Sequence, residues 1–148
     1  VFTKAELVSR YEVTLENYCK TVIIEANTMV DMARTEILPA VQAYALDTAK
    51  TAAAKKELIP GCLCGHETEL VKKLSALTDQ IAVQTDDLEK AVLALTGMEN
   101  IGEESAAVRD IILPKMAELR LPCDEAETLT AKKYWPFPTY GDLLFGVR

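Results

Sequence analysis

The densest group of ligand-type side chains in the chain is Cys62-Leu63-Cys64-Gly65-His66, with Glu67 and Glu69 close behind. Two thiolates, an imidazole and nearby carboxylates are donors that zinc takes, so Cys62, Cys64 and His66 are the metal-ligand candidates. Against that reading, one residue separates the two cysteines, whereas paired cysteines of structural zinc sites are usually spaced by two to four. No second cysteine pair completes four ligands, since Cys19 and Cys123 are distant singles. The plain alternative is a turn that holds two cysteines. A carboxylate-bridged di-iron centre needs two Glu-x-x-His motifs, and a chain with one histidine excludes it. His66 opens a helix beside a Pro-Gly turn and belongs to no defensible Ser–His or Cys–His arrangement. The glycines are scattered and form no phosphate-binding loop. The residues therefore nominate no catalytic and no cofactor-binding side chain.

A different chemistry, apolar contact, is concentrated in Trp135-Pro136-Phe137-Pro138-Thr139-Tyr140-Gly141-Asp142-Leu143-Leu144-Phe145. Proline lacks an N–H and biases the residue before it towards extended backbone. A helix must stop here, and the chain is expected to leave it as a stiff strap over 134–148. Trp135, Phe137, Tyr140 and Phe145 stand in a chain that is only 6% aromatic, so a surface must cover them. Trp135, Phe137, Tyr140, Leu143, Leu144 and Phe145 are the interface candidates.

The elements that would position these groups read as helices throughout. From about 3 to 58, Leu7, Tyr11, Tyr18, Val22, Met29, Ala33, Ile37, Val41 and Tyr44 recur at helical spacing. Thr3 and Glu6 form a capping-box start, and Pro39 predicts a kink near residues 36–39. Unbroken, this segment reaches about 80 Å, so one half is expected to project from the compact body. Pro60-Gly61 ends it. From about 66 to 96, Leu70, Leu74, Leu77, Ile81, Leu88, Val92 and Leu95 form the cleanest stripe, with Gln84 as a polar interruption and Gly97 placed to cap the end. From about 103 to 133, Val108, Ile112, Met116, Leu119, Cys123, Ala126 and Leu129 make a third stripe, bent by Pro114 and Pro122. No segment alternates as a strand does. The expected fold is all-α: an antiparallel up-down-up bundle over 1–133, with an over-long, Pro-kinked first helix and an extended aromatic strap. The polar run Glu25 to Ala33 is a further surface suited to contact.

The 148 residues suffice for one core, and the formal charge of −7 disfavours nucleic acid and anionic membrane as partners. No apolar run is long enough to span a bilayer, and no signal peptide is evident. Val1 in place of a starting methionine is read as a piece of something longer. The cysteines lack a disulfide framework, which points to a reducing, cytoplasmic compartment.

The C-terminal run Trp135 to Phe145 resembles the extreme C-terminus of type III glutamine synthetases. Val1-Phe2-Thr3 with Glu6 and Arg10-Tyr11-Glu12 resembles the start of that family's C-terminal helical region. Ile24-Glu25-Ala26, Thr28-Met29, Asp31-Met32-Ala33 and Ile37-Leu38-Pro39-Ala40-Val41 resemble its long helix. Arg109-Asp110, Met116, Glu118-Leu119-Arg120, Asp124-Glu125 and Glu127-Thr128-Leu129 resemble its last one. The resemblance runs along essentially the whole chain, in order, with 59–65 and 96–104 least alike. It implies a parent enzyme that ligates ammonia to glutamate with ATP and magnesium or manganese. It also implies that this segment carries none of the catalytic, nucleotide or metal residues. As partners it implies the upstream catalytic domain and the neighbouring subunits of a ring-forming homo-oligomer. The alternative from the residues alone is an independent cytoplasmic helical module that binds another protein.

Overall fold

The structure, a computed structural model, describes residues 3–98 and 100–146. Every regular element among them is helical: α1 Lys4–Met32, α2 Leu38–Leu58, α3 Gly65–Leu95, α4 Ile101–Ala107, α5 Leu113–Leu129 and α6 Tyr140–Phe145, with π-helical turns at Ala33–Ile37 and Val108–Ile112. Contacts divide the chain into two compact units, Val1–Met32 with Val83–Arg120, and Ala33–Ala82 with Leu121–Arg148. The divisions fall where α1 meets the first π turn and inside α3 and α5.

The start of α1 is built as its sequence dictates. The Thr3 backbone N–H donates to the Glu6 carboxylate at 2.7 Å, and the Glu6 N–H donates back to the Thr3 hydroxyl at 3.3 Å. Two backbone donors that have no partner within a helix are thereby satisfied. The apolar stripe then behaves in two ways. Cys19, Val22, Ala26 and Val30 are buried, and α1 packs on α4 and the second π turn. Leu7 and Tyr11 continue the same periodicity, yet are 54% and 65% exposed, and Tyr18 is exposed as well. This first unit also buries Leu88, Val92, Leu95, Val108, Ile112 and Leu119.

Both π turns end in Ile and run into Leu-Pro: Ile37-Leu38-Pro39 and Ile112-Leu113-Pro114. A proline in a regular helix leaves the carbonyl four residues earlier without a donor and presses its ring against it. A wider i→i+5 turn just before the proline offers those carbonyls a donor one residue further on and relieves the clash. The extra residue also keeps phase, since Ala33, Ile37 and Val41 remain buried across the first π turn. Pro122 is handled differently. It lies buried inside α5 without a π turn, so the Glu118 carbonyl has no N–H at Pro122 to receive.

The second unit buries Ala33, Ile37, Val41, Cys64, Leu74, Leu77, Ile81 and Ala126. Its α2–α3 connection is a tight turn closed by the Cys62 N–H donating to the Ile59 carbonyl at 3.1 Å. Pro60 and Gly61 occupy the central positions, and Gly61 has φ +87°, the left-handed value a type II turn requires. At the far end of α3, Gly97 at φ +95° stops the helix as its position in the sequence predicts. Asn100 opens α4, its side-chain oxygen accepting from the Gly102 N–H at 2.9 Å.

Residues after α5 depart from the sequence expectation. The last long helix ends at Leu129, not near 133, and turns and bends occupy much of 130–138. Extended chain to the C-terminus is replaced by the short helix α6. Thr139 caps it, accepting from the Asp142 N–H at 3.3 Å while the Asp142 carboxylate takes the Thr139 N–H at 2.9 Å. α5 thus ends seven residues before Pro136, and a capping box that opens at Thr139, three residues after that proline, starts another helix. Of the residues singled out earlier, Val1, Phe2 and the side chain of Tyr140 lie outside the described residues.

Candidate functional site

The second unit contains a cleft of about 520 Å³ lined by Tyr44, Asp47, His66, Glu67, Lys133 and Tyr134 among others. Its wall is an aromatic pair: the rings of Tyr44 and Tyr134 lie 5.2 Å apart, tilted by 44°. The Tyr134 hydroxyl donates to the Asp47 carboxylate, and the Lys133 ammonium stands 4.5 Å from the Tyr134 ring centroid. Tyr134, with Asp47 and Tyr44 behind it, holds the Lys133 pKa above the usual lysine value. An ion pair, Lys55 with Glu67, holds the Glu67 carboxyl below its usual range. Asp47 and Glu67 are thus both engaged, and the cleft presents no nucleophile held by a base.

Beside it, the Cys62 and Cys64 sulfurs approach to 3.4 Å, and the Cys64 thiol also faces the Ala52 carbonyl at 3.5 Å. Cys64 has φ +47°, a left-handed conformation that costs a residue with a Cβ about 1–2 kcal/mol. His66 is exposed and lines the cleft. Among the described residues, no three His, Cys, Asp or Glu side chains form a set able to hold a metal ion. The structure therefore brings Cys62 and Cys64 together but does not complete a ligand set with His66.

The interface candidates separate into two groups. Trp135 and Phe137 are half-buried and meet edge to face, their centroids 6.1 Å apart. Leu143, Leu144 and Phe145 stand 67%, 71% and 80% exposed on α6. That helix is tied back by the Lys132 ammonium, 2.6 Å from the Asp142 carboxylate. Lys132, then the Thr139 hydroxyl and N–H, push the Asp142 pKa down to about 2. In the run from Glu25 to Ala33, Glu25, Asn27, Thr28 and Asp31 are exposed while Ala26, Val30 and Ala33 are buried, the alternation of a one-sided helix.

The glutamine synthetase C-terminal domain family matches residues 1–56. A glutamine synthetase of Butyrivibrio fibrisolvens is 36% identical over 148 residues, covering all of this chain and 21% of the relative. Over its whole length the chain is similar to glutamine synthetases. A glutamine synthetase of Bacteroides fragilis (strain YCH46) is 28% identical over 149 residues, and a type-3 glutamine synthetase of Dictyostelium discoideum 28% over 155 residues. Each covers 98% of this chain and 20% of its own length, so the chain spans about a fifth of these glutamine synthetases. No described helix is long and apolar enough to cross a membrane.

Sequence reasoning missed Asp47, Tyr44 and Tyr134 as a cluster. Nothing local joins residues 87 positions apart. It also missed α6, although Thr139 and Asp142 three residues on carried a capping signal that the neighbouring prolines outweighed.

Proposed function

We propose that this chain serves as the helical C-terminal assembly domain of a type III glutamine synthetase, the enzyme that ligates ammonia to glutamate at the expense of ATP. The observation that carries the reading is the apolar face of α6, with Leu143, Leu144 and Phe145 mostly in solvent. Contiguous apolar side chains on a helix held by a cap and an ion pair are suited to burial against another surface. The chain's similarity from end to end to glutamine synthetases about five times its length supports a partner of this kind: the catalytic part of the same polypeptide, or neighbouring subunits of a ring-forming homo-oligomer. Leu7 and Tyr11, exposed on α1, are a second such surface. On this reading ATP and magnesium or manganese belong to the rest of such an enzyme.

The test replaces Leu143, Leu144 and Phe145 together by serine in the full-length enzyme, and measures oligomeric mass and biosynthetic activity. Loss of the large assembly together with activity is expected. Retention of both would overturn the reading and favour an independent binding module. Retained mass with altered activity would overturn assembly in favour of regulation.

A further inference from the structure

The α2–α3 turn holds two cysteines to which the proposed function gives no role. Cys62 and Cys64 face each other at 3.4 Å between sulfurs, a separation that a small rotation of either side chain closes to a bond. Cys64 adopts the left-handed backbone, with φ +47°, a conformation that a residue with a Cβ holds at a cost and keeps only when its surroundings impose it. The two cysteines differ in access. Cys64 is 6% exposed, whereas Cys62 is half-buried and next to the 88% exposed Leu63. One thiol can therefore meet a soluble reagent while the other waits behind it.

We propose that Cys62 and Cys64 form a redox-active dithiol that closes to an intraturn disulfide on exchange with a small-molecule disulfide such as oxidised glutathione. The Cys62 thiolate attacks one sulfur of oxidised glutathione, the glutathione S–S bond breaks, and one glutathione leaves as the thiolate. The Cys64 thiol then gives up its proton and attacks the Cys62 sulfur, forming the protein S–S bond and expelling the second glutathione. In sum, two S–H bonds are lost and one S–S bond is made. The two electrons reduce oxidised glutathione, and the two protons go to its thiolates. Burial first, then the Cys62 sulfur and the Glu67 carboxylate, keep the Cys64 thiol above its ordinary pKa, which suits a second, resolving step. Closure also withdraws the Cys64 S–H from the Ala52 carbonyl, at the end of α2 where Lys55 pairs with Glu67. Only a very short loop is closed, so little unfolded-state entropy is removed and the effect is local conformation, not global stability.

The intact chain, reduced and then equilibrated in buffers running from reduced to oxidised glutathione, tests this. Free thiols should fall from four to two per chain, with a mass loss of two hydrogens and a peptide map joining residues 62 and 64. Cys62→Ser should lose that response, and Cys123→Ser should keep it. Phenylarsine oxide, which condenses with two adjacent thiols and releases water, gives a readout independent of oxidation. It should bind the native chain roughly a hundredfold more tightly than Cys62→Ser. A thiol count that stays at four, a lasting glutathione adduct on Cys62, disulfide-linked dimers, or equal arsenical binding by both proteins would each overturn the proposal.

Discussion

The Tyr134 hydroxyl donates to the Asp47 carboxylate, joining the segment after α5 to the outer side of α2 across 87 positions of sequence. The same tyrosine ring packs on Tyr44 at 5.2 Å, one helical turn before Asp47. A single side chain thus fastens the chain where it leaves the last long helix.

Tyr134→Phe keeps the ring and removes the hydroxyl, so it should cost on the order of 1 kcal/mol. Tyr134→Ala removes both and should cost more, since an aromatic pair adds about 0.5–1.5 kcal/mol beyond the area it buries. Urea unfolding of the two variants checks the order. Equal stability of Tyr134→Ala and the native chain would mean that residues 130–139 are not fastened there.

The Asp142 pKa is depressed in the folded chain, chiefly by Lys132 and then by Thr139. A carboxyl with a depressed folded pKa adds stability that is complete above its unfolded value, about 3.9, and is lost as pH falls through the folded value of about 2. Between those two values α6 should loosen ahead of the rest of the chain. NMR of the backbone amides of 140–145 on acid titration reads this, and Asp142→Asn should show the loosened state already at neutral pH.

The Thr130 hydroxyl is buried and, among the described residues, has no hydrogen-bond partner. An unpaired buried hydroxyl costs up to about 1–3 kcal/mol, whereas a methyl of the same shape costs nothing there. Thr130→Val should therefore raise the melting temperature. A fall would show that the hydroxyl is satisfied in solution.

Leu74 and Leu7 sit on equally regular stripes, yet Leu74 is fully buried and Leu7 is 54% exposed. Leu74→Ala should cost about 2–5 kcal/mol. Leu7→Ala should change stability by no more than about 0.5 kcal/mol. Thermal unfolding of the isolated chain separates them. A large loss from Leu7→Ala would mean that α1 is covered in solution, by a second copy or by its own chain.

What the sequence determined by itself is whatever a few neighbouring residues settle. The reciprocal Thr3–Glu6 cap, the Pro60-Gly61 turn and the Gly97 stop follow from backbone chemistry within a turn, and each is present. So is most of the α3 stripe: Leu74, Leu77, Ile81, Leu88, Val92 and Leu95 are buried and Leu70 is half-buried, because one helix period puts them on one side. Periodicity says which side is apolar but not whether anything covers it, which is why Leu7, Tyr11 and Tyr18 follow the pattern and stay exposed. The π turns ahead of Pro39 and Pro114 depend on which donor each freed carbonyl finds. Only the tertiary structure decided the meeting of Tyr134 with Asp47 and the exposure of Leu143, Leu144 and Phe145, since contact across many residues is set by how helices pack and not by any local propensity.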